Sequence, residues 1–202
     1  MIETTTPKIV SHKIRQLLKK MGLSDKPEFV NVISEDWCIE SECFENVNNK
    51  VKKEGGKRIL GWQIWEWENV LIEAEFHSVW EDPITNTLID ITPKTECEIL
   101  FVKDPKMVYS GIRIDNYRMA LRQDRLINDF IQVSRELNDV ILHGSHPDNP
   151  TESTFTGSDM RKFQTLISIK SKLLGLLVHG GSENSKCFCG SERKYKNCHA
   201  IR

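Results

Sequence analysis

The most specific chemistry in this 202-residue chain lies in thirteen residues near its end: Cys187-Phe188-Cys189, eight further residues, then Cys198-His199. Three thiolates and an imidazole fill the tetrahedral shell of zinc and leave no open position, so one structural Zn2+ held by Cys187, Cys189, Cys198 and His199 is expected. The site keeps a net negative charge, which Lys186, Arg193, Lys194 and Lys196 can offset. So short a segment has too little apolar material to fold alone, and metal binding and folding should be a single event. A second set is dispersed. Cys43 lies in the first turn of a predicted helix, where unpaired amides and the helix dipole favour a thiolate. A cysteine nucleophile also needs a base and a group that orients the base. His77 and Asp90 supply both, on neighbouring predicted strands.

The elements must bring these residues together. Ile9 to Met21 reads as an amphipathic helix through Ile14, Leu17, Leu18 and Met21. Ser41 to Glu54 reads as a second, with Ser41 as N-cap, a Phe44, Val47, Val51 stripe and Gly55-Gly56 as the stop. Arg58 to Trp65, Val70 to Trp80, Thr87 to Thr92 and Cys97 to Val102 alternate as four largely antiparallel strands. Alternation sets His77 with Glu73, Glu75 and Val79, opposite Ile72, Ala74, Phe76 and Trp80. A hairpin closing around Pro83-Ile84 pairs Glu81 with Asn86, Val79 with Leu88 and His77 with Asp90, where opposed side chains share a face. Asp90 then orients one imidazole nitrogen and leaves the other for Cys43. Asn116 to Leu142 and Asp159 to Val178 read as helices around a polar loop from His143 to Ser158, and 180–186 reads as a flexible linker.

Two resemblances follow from these residues. Cys187 to Arg202, with Gly190-Ser191, Arg193-Lys194, Tyr195 and Lys196 in place, closely resembles the SEC-C motif, a zinc-binding tail. Glu192 stands at the motif's usual Gly, and His199 takes the place of one of its two usual final ligands. That family implies docking to a protein partner or a ribosome. Ser41-Glu42-Cys43-Phe44, Phe76-His77-Ser78-Val79-Trp80 and Leu88-Ile89-Asp90-Ile91-Thr92-Pro93 resemble the helix start and two strands of the transglutaminase-like branch of the papain-like superfamily, over roughly Glu35 to Val102. The resemblance implies a protein or peptide substrate, and a thioester at Cys43 formed from a carboxamide or peptide and resolved by water or an amine. Glu42 departs from that family's Gln, and no oxyanion side chain is identified; amides at the Cys43 helix start could serve, with Trp37 as a shield. The expected class is α+β: a transglutaminase/papain-like helix plus antiparallel sheet with a helical extension over residues 1–179, a linker at 180–186, and a zinc-binding tail at 187–202.

Other readings of the same residues stay open. Cys43 also fits a buried helix cysteine with His77 and Asp90 as a structural pair, and the chain then a non-catalytic zinc-dependent adaptor. Cys38 is a second possible nucleophile, or core; Cys97 reads as core. Cys38, Cys43 and His77 lack the compact spacing of a metal site. Trp62, Trp65 and Trp67 suit a substrate groove or an aromatic cluster, and His143, His146 and His179 read as loop residues. Glu73 and Glu75 read as a solvated stripe or, facing a cleft beside His77, as a preference for cationic substrates.

Lys plus Arg number 28 against 29 Asp plus Glu, a net −1 that argues against coating nucleic acid or a polybasic membrane role. The balance is uneven: residues 60–104 hold ten acidic and two basic residues, whereas 186–202 hold five basic and one acidic. No apolar run approaches the roughly 18 residues that span a bilayer, and Met1 to Ser11 lacks a signal-peptide layout. A cytoplasmic protein is expected.

Overall fold

The computed structural model describes residues 4–146, 149–153, 155 and 157–200, with no side chains described over 145–154. Contacts divide the chain into two compact units. One comprises 4–67 and 72–110, the other 68–71 and 111–200. The architecture is α+β, and no helix among the described residues is long and apolar enough to cross a membrane.

The first unit is built on a five-stranded sheet: β1 Glu28–Val32, β2 Lys57–Trp67, β3 Leu71–Glu81, β4 Leu88–Asp90 and β5 Glu98–Lys103. The strands run in the order β2-β5-β1-β4-β3, and β3 also pairs with β2, which closes a barrel and leaves no open edge among these five. Val30, Val79, Leu88, Ile99 and Phe101 form one core cluster. Gly61 is required where β2 crosses β5, because a Cβ there would lie 2.2 Å from the Val102 carbonyl and 2.5 Å from the Phe101 ring. Helix α1, His12–Lys20, buries Ile14, Leu17 and Leu18 and is capped by Ser11. Helix α2, Cys43–Glu54, carries Val47 in a second cluster with Trp80 and Ile91, against which Trp37, Cys38 and Val51 pack.

Three sequence expectations are corrected here. β1 was not foreseen, and it runs parallel to β4 (Asn31 opposite Ile89, Val32 opposite Asp90), so the sheet is mixed. The β3–β4 hairpin pairs Glu81 with Leu88 and Trp80 with Ile89, two residues from the expected register. Asp82 Oδ1 accepts hydrogen bonds from the Ile84 and Thr85 amides, an Asx turn, and the Asp82 amide donates to the Thr87 carbonyl, so the loop takes in two more residues. Ser41 is not the cap of α2. Glu42 occupies that position without a side-chain bond, and Ser41 adopts a left-handed φ of 66°.

In the second unit, residues 117–120 form strand β6 instead of the start of a helix, and α3 runs Arg125–Gly144. The Asp124 carboxylate accepts from the Leu126 amide at the start of α3. The segment expected as a loop contains β7 Ser145–His146 and β8 Asn149–Ser153, an antiparallel pair. Helix α4, Gly157–Val178, lies against α3, with Leu126, Ile127, Phe130, Val133, Leu166, Leu173 and Leu177 buried. Residues 180–186 are not slack. Arg122 donates to the Gly181 carbonyl, the Glu183 amide to Asp124, and the Arg125 amide to the Glu183 carboxylate.

Candidate functional site

Cys43 is the first residue of α2, His77 lies on β3, and Asp90 ends β4; all three are buried, with Asp90 fully inaccessible. A register shift of two preserves strand parity, so Asp90 and His77 keep the same face but become diagonal neighbours. Their contact survives: His77 Nε2 lies 2.9 Å from Asp90 Oδ2. Cys43 is the other side chain that acts on the imidazole. Burial alone would depress the imidazolium, but the Cys43 thiolate and then the Asp90 carboxylate outweigh it and push His77 up to about 10. For Asp90, burial favours the neutral acid, yet His77 and Lys94 hold the carboxyl down at about 2.

Neighbouring side chains fix this set. Asp90 Oδ1 accepts from the Thr92 amide. Asn46, buried on α2, exchanges hydrogen bonds with the backbone of Ile39 and donates to Thr92 Oγ1 at 3.4 Å, tying the segment before Cys43 to the end of β4. Tyr109 stacks on Phe44 with ring centroids 3.8 Å apart. Lys94 Nζ stands 2.6 Å from Asp90 Oδ2 and 2.8 Å from Gln63 Oε1. The sequence reading missed Asn46, Tyr109 and Lys94. A lysine four residues after Asp90 was the one signal available.

The other candidates separate. Cys38 is half-buried, its thiol pushed up by burial, and it packs beside Trp37 under α2. Cys97 is exposed, because β5 starts only at Glu98; the expectation of a core residue fails there. Trp37 holds the Lys53 ammonium 3.7 Å above its ring. The tryptophans of β2 do not form one groove: Trp62 is buried and donates to Asp104, whereas Trp65 donates to Glu75. Glu73 and Glu75 are both half-buried. His143 and His179 are exposed, and the side chain of His146 lies outside the described residues.

In the second unit Cys187, Cys189, Cys198 and His199 converge, with one ligand atom from each inside a mutual separation of 4.8 Å. Cys189 Sγ is 3.5 Å from Cys198 Sγ, and His199 Nδ1 is 3.2 Å and 3.3 Å from Cys187 and Cys198. Zinc–sulfur bonds of about 2.3 Å at tetrahedral angles place sulfurs roughly 3.8 Å apart, so the donor set fits one zinc ion. The fold brings the donors together through backbone bonds from Cys187 to Arg193 and from Tyr195 to Ser185, while Cys198 and His199 donate to the Tyr195 carbonyl. Burial raises the Cys187 thiol, and Ser191 lowers that of exposed Cys189 to about 6.

Residues 184–200 match the SEC-C motif. No curated protein and no solved structure matches the chain. Glu192, at the position of the motif's usual glycine, adopts a left-handed φ of 59° and pairs with Lys186. Its Tyr195 is 1% exposed and donates to Asp129 Oδ2 of α3 at 2.7 Å. Burial and the carboxylate both drive the phenol well above its usual range. The segment is therefore packed on α3 as part of the second unit. Arg193 and Lys194 are exposed.

Proposed function

We propose that the chain acts as a zinc-dependent docking protein whose SEC-C segment presents a basic tip to a protein or ribosomal surface. The observation that carries this reading is the convergence of Cys187, Cys189, Cys198 and His199, seated on α3 through Tyr195, with Arg193 and Lys194 turned to solvent. The ion would supply folding energy and no chemistry, since four protein donors close its shell. A reducing cytoplasmic compartment suits three thiolate ligands. Metal analysis should give one zinc per chain, lost in Cys198→Ser. Zinc-loaded protein should co-sediment with purified ribosomes or bind an acidic partner surface, and the double substitution Arg193→Glu, Lys194→Glu should abolish either interaction with zinc retained. Zinc-free protein after metal-replete purification would refute the reading.

A second reading is favoured by one observation, the buried His77–Asp90 pair on which Cys43, at the start of α2, also acts. In it the first unit is a transglutaminase-like cysteine hydrolase or transamidase acting on a carboxamide or peptide bond. Cys43 Sγ, having passed its proton to His77 Nδ1, bonds to the carbonyl carbon of the acyl group. The C–N bond then breaks, and His77 returns the proton to the leaving ammonia or amine. Water or an incoming amine gives a proton to His77 and releases the acyl group from sulfur. Amides of the first turn of α2, which the Glu42 side chain does not cap, are available to the oxyanion. Native alkylation by iodoacetamide should label Cys43 well ahead of Cys38 and Cys97, and His77→Ala should remove the difference. Equal slow labelling leaves only the docking reading.

A further inference from the structure

Asp90 serves two cations through the same oxygen. His77 Nε2 lies 2.9 Å from Oδ2 and Lys94 Nζ 2.6 Å from it, and the side chain of Lys94 is only 12% exposed. Lys94 is itself held: it donates to Gln63 Oε1 at 2.8 Å and sits 5.9 Å from the centroid of the Trp65 ring. Gln63 is buried on β2, and its Nε2 has no partner among the described residues, so the amide is oriented by Lys94. The buried row runs thiol, imidazole, carboxylate, ammonium, amide. The groups that bear most on His77 are Cys43 from α2 and Asp90 from β4, with Glu73 and Glu75 half-buried along its own strand, and Lys94 joins the row at Asp90.

A carboxylate with no second partner would bind an imidazolium tightly and hinder return of the proton. A lysine on the same oxygen divides the carboxylate's charge, fixes its rotamer, and balances the row to neutrality when Cys43 and His77 are both ionised. We propose that Lys94 is a positioning residue for the Cys43–His77 pair, which holds Asp90 in place and limits its grip on the imidazolium so that His77 can serve as both base and acid. This rests on the cysteine-enzyme reading of the same site.

The test separates the two ideas by using the zinc-loaded 202-residue chain in two measurements. Iodoacetamide labelling of the wild type examines the reading itself. Titration of 15N-labelled His77 by NMR in a Cys43→Ala background examines Lys94, since removing the thiolate takes away the leading cause of the elevated value and brings the midpoint into an accessible range. Lys94→Met should raise the His77 midpoint by about one unit or more, the scale of a lost charge next to an ion pair. Lys94→Arg should leave the midpoint near its starting value. A fast-labelling Cys43 with a His77 midpoint unmoved by Lys94→Met overturns the positioning role and leaves the enzyme reading standing. A Cys43 no faster than Cys97 overturns both. Should the Met variant not fold, Lys94→Gln in place of Met decides the matter by the same shift.

Discussion

Replacing Tyr195 with Phe keeps the ring in its site and removes one hydroxyl. The bond lost runs to a carboxylate, is 2.7 Å long, and lies between residues that are 1% and 4% exposed. Hydrogen bonds to charged groups contribute about 1.5–3 kcal/mol, so the second unit should lose roughly that much stability. Two optical probes read the units apart. All five tryptophans lie between Trp37 and Trp80, inside the first unit, whereas the long helices α3 and α4, of 20 and 22 residues, belong to the second. Urea unfolding of the zinc-loaded protein should show Tyr195→Phe shifting the transition seen by far-ultraviolet circular dichroism and leaving the tryptophan fluorescence transition in place. Zinc release to a chelator should accelerate in parallel, because the ligands at Cys198 and His199 hang from the Tyr195 carbonyl. A shift under about 0.5 kcal/mol, within the ordinary range of surface substitutions, would falsify the claim that the segment is packed on α3.

Asp90→Asn leaves the buried cations of His77 and Lys94 without their counter-charge and should cost about 3–5 kcal/mol, read by tryptophan fluorescence in urea. Acid should act at the same place. The Asp90 carboxyl titrates at about 2 when folded against 3.8 unfolded, so its stabilisation, about 2 kcal/mol, is fully present above pH 3.8 and lost as the pH falls through 2. A stability–pH curve for the wild type should carry that acid limb, and the curve for Asp90→Asn should lack it. Gly61→Ala forces a Cβ against the Val102 carbonyl and should destabilise the first unit by roughly 1–3 kcal/mol, with zinc content unchanged. Chelation of zinc should lower helical ellipticity while sparing the tryptophan transition.

What the sequence disclosed follows from distance along the chain. The zinc ligands lie within thirteen residues, and local backbone bonds between Cys187 and Arg193 and between Tyr195 and Ser185 suffice to gather them, so spacing alone identified the set. His77 and Asp90 are thirteen residues apart across one hairpin, and strand parity placed them on one face even though the turn was misjudged. The Asx bonds of Asp82 that lengthened the loop depend on side-chain geometry that a turn propensity does not contain. β1 was missed because its five residues, Glu-Phe-Val-Asn-Val, show no clean alternation, and its parallel partner is nearly sixty residues away. Tyr195 to Asp129 was invisible for the same reason. Only an aspartate among the buried positions of α3 hinted at a partner.

The Tyr195–Asp129 bond spans 66 residues. At a synthesis rate of about 5–20 residues per second, α3 must wait roughly 3–13 s after Asp129 is made before its partner exists. During that interval the barrel, complete by residue 110, can form on its own, while α3 lacks the tyrosine hydroxyl that donates to Asp129. The chain is thus assembled in the order barrel, helices, metal. In the docking reading zinc uptake is the event that closes the folding of the helical unit, and a cell short of zinc should accumulate chains with a finished barrel and an unfinished helical half.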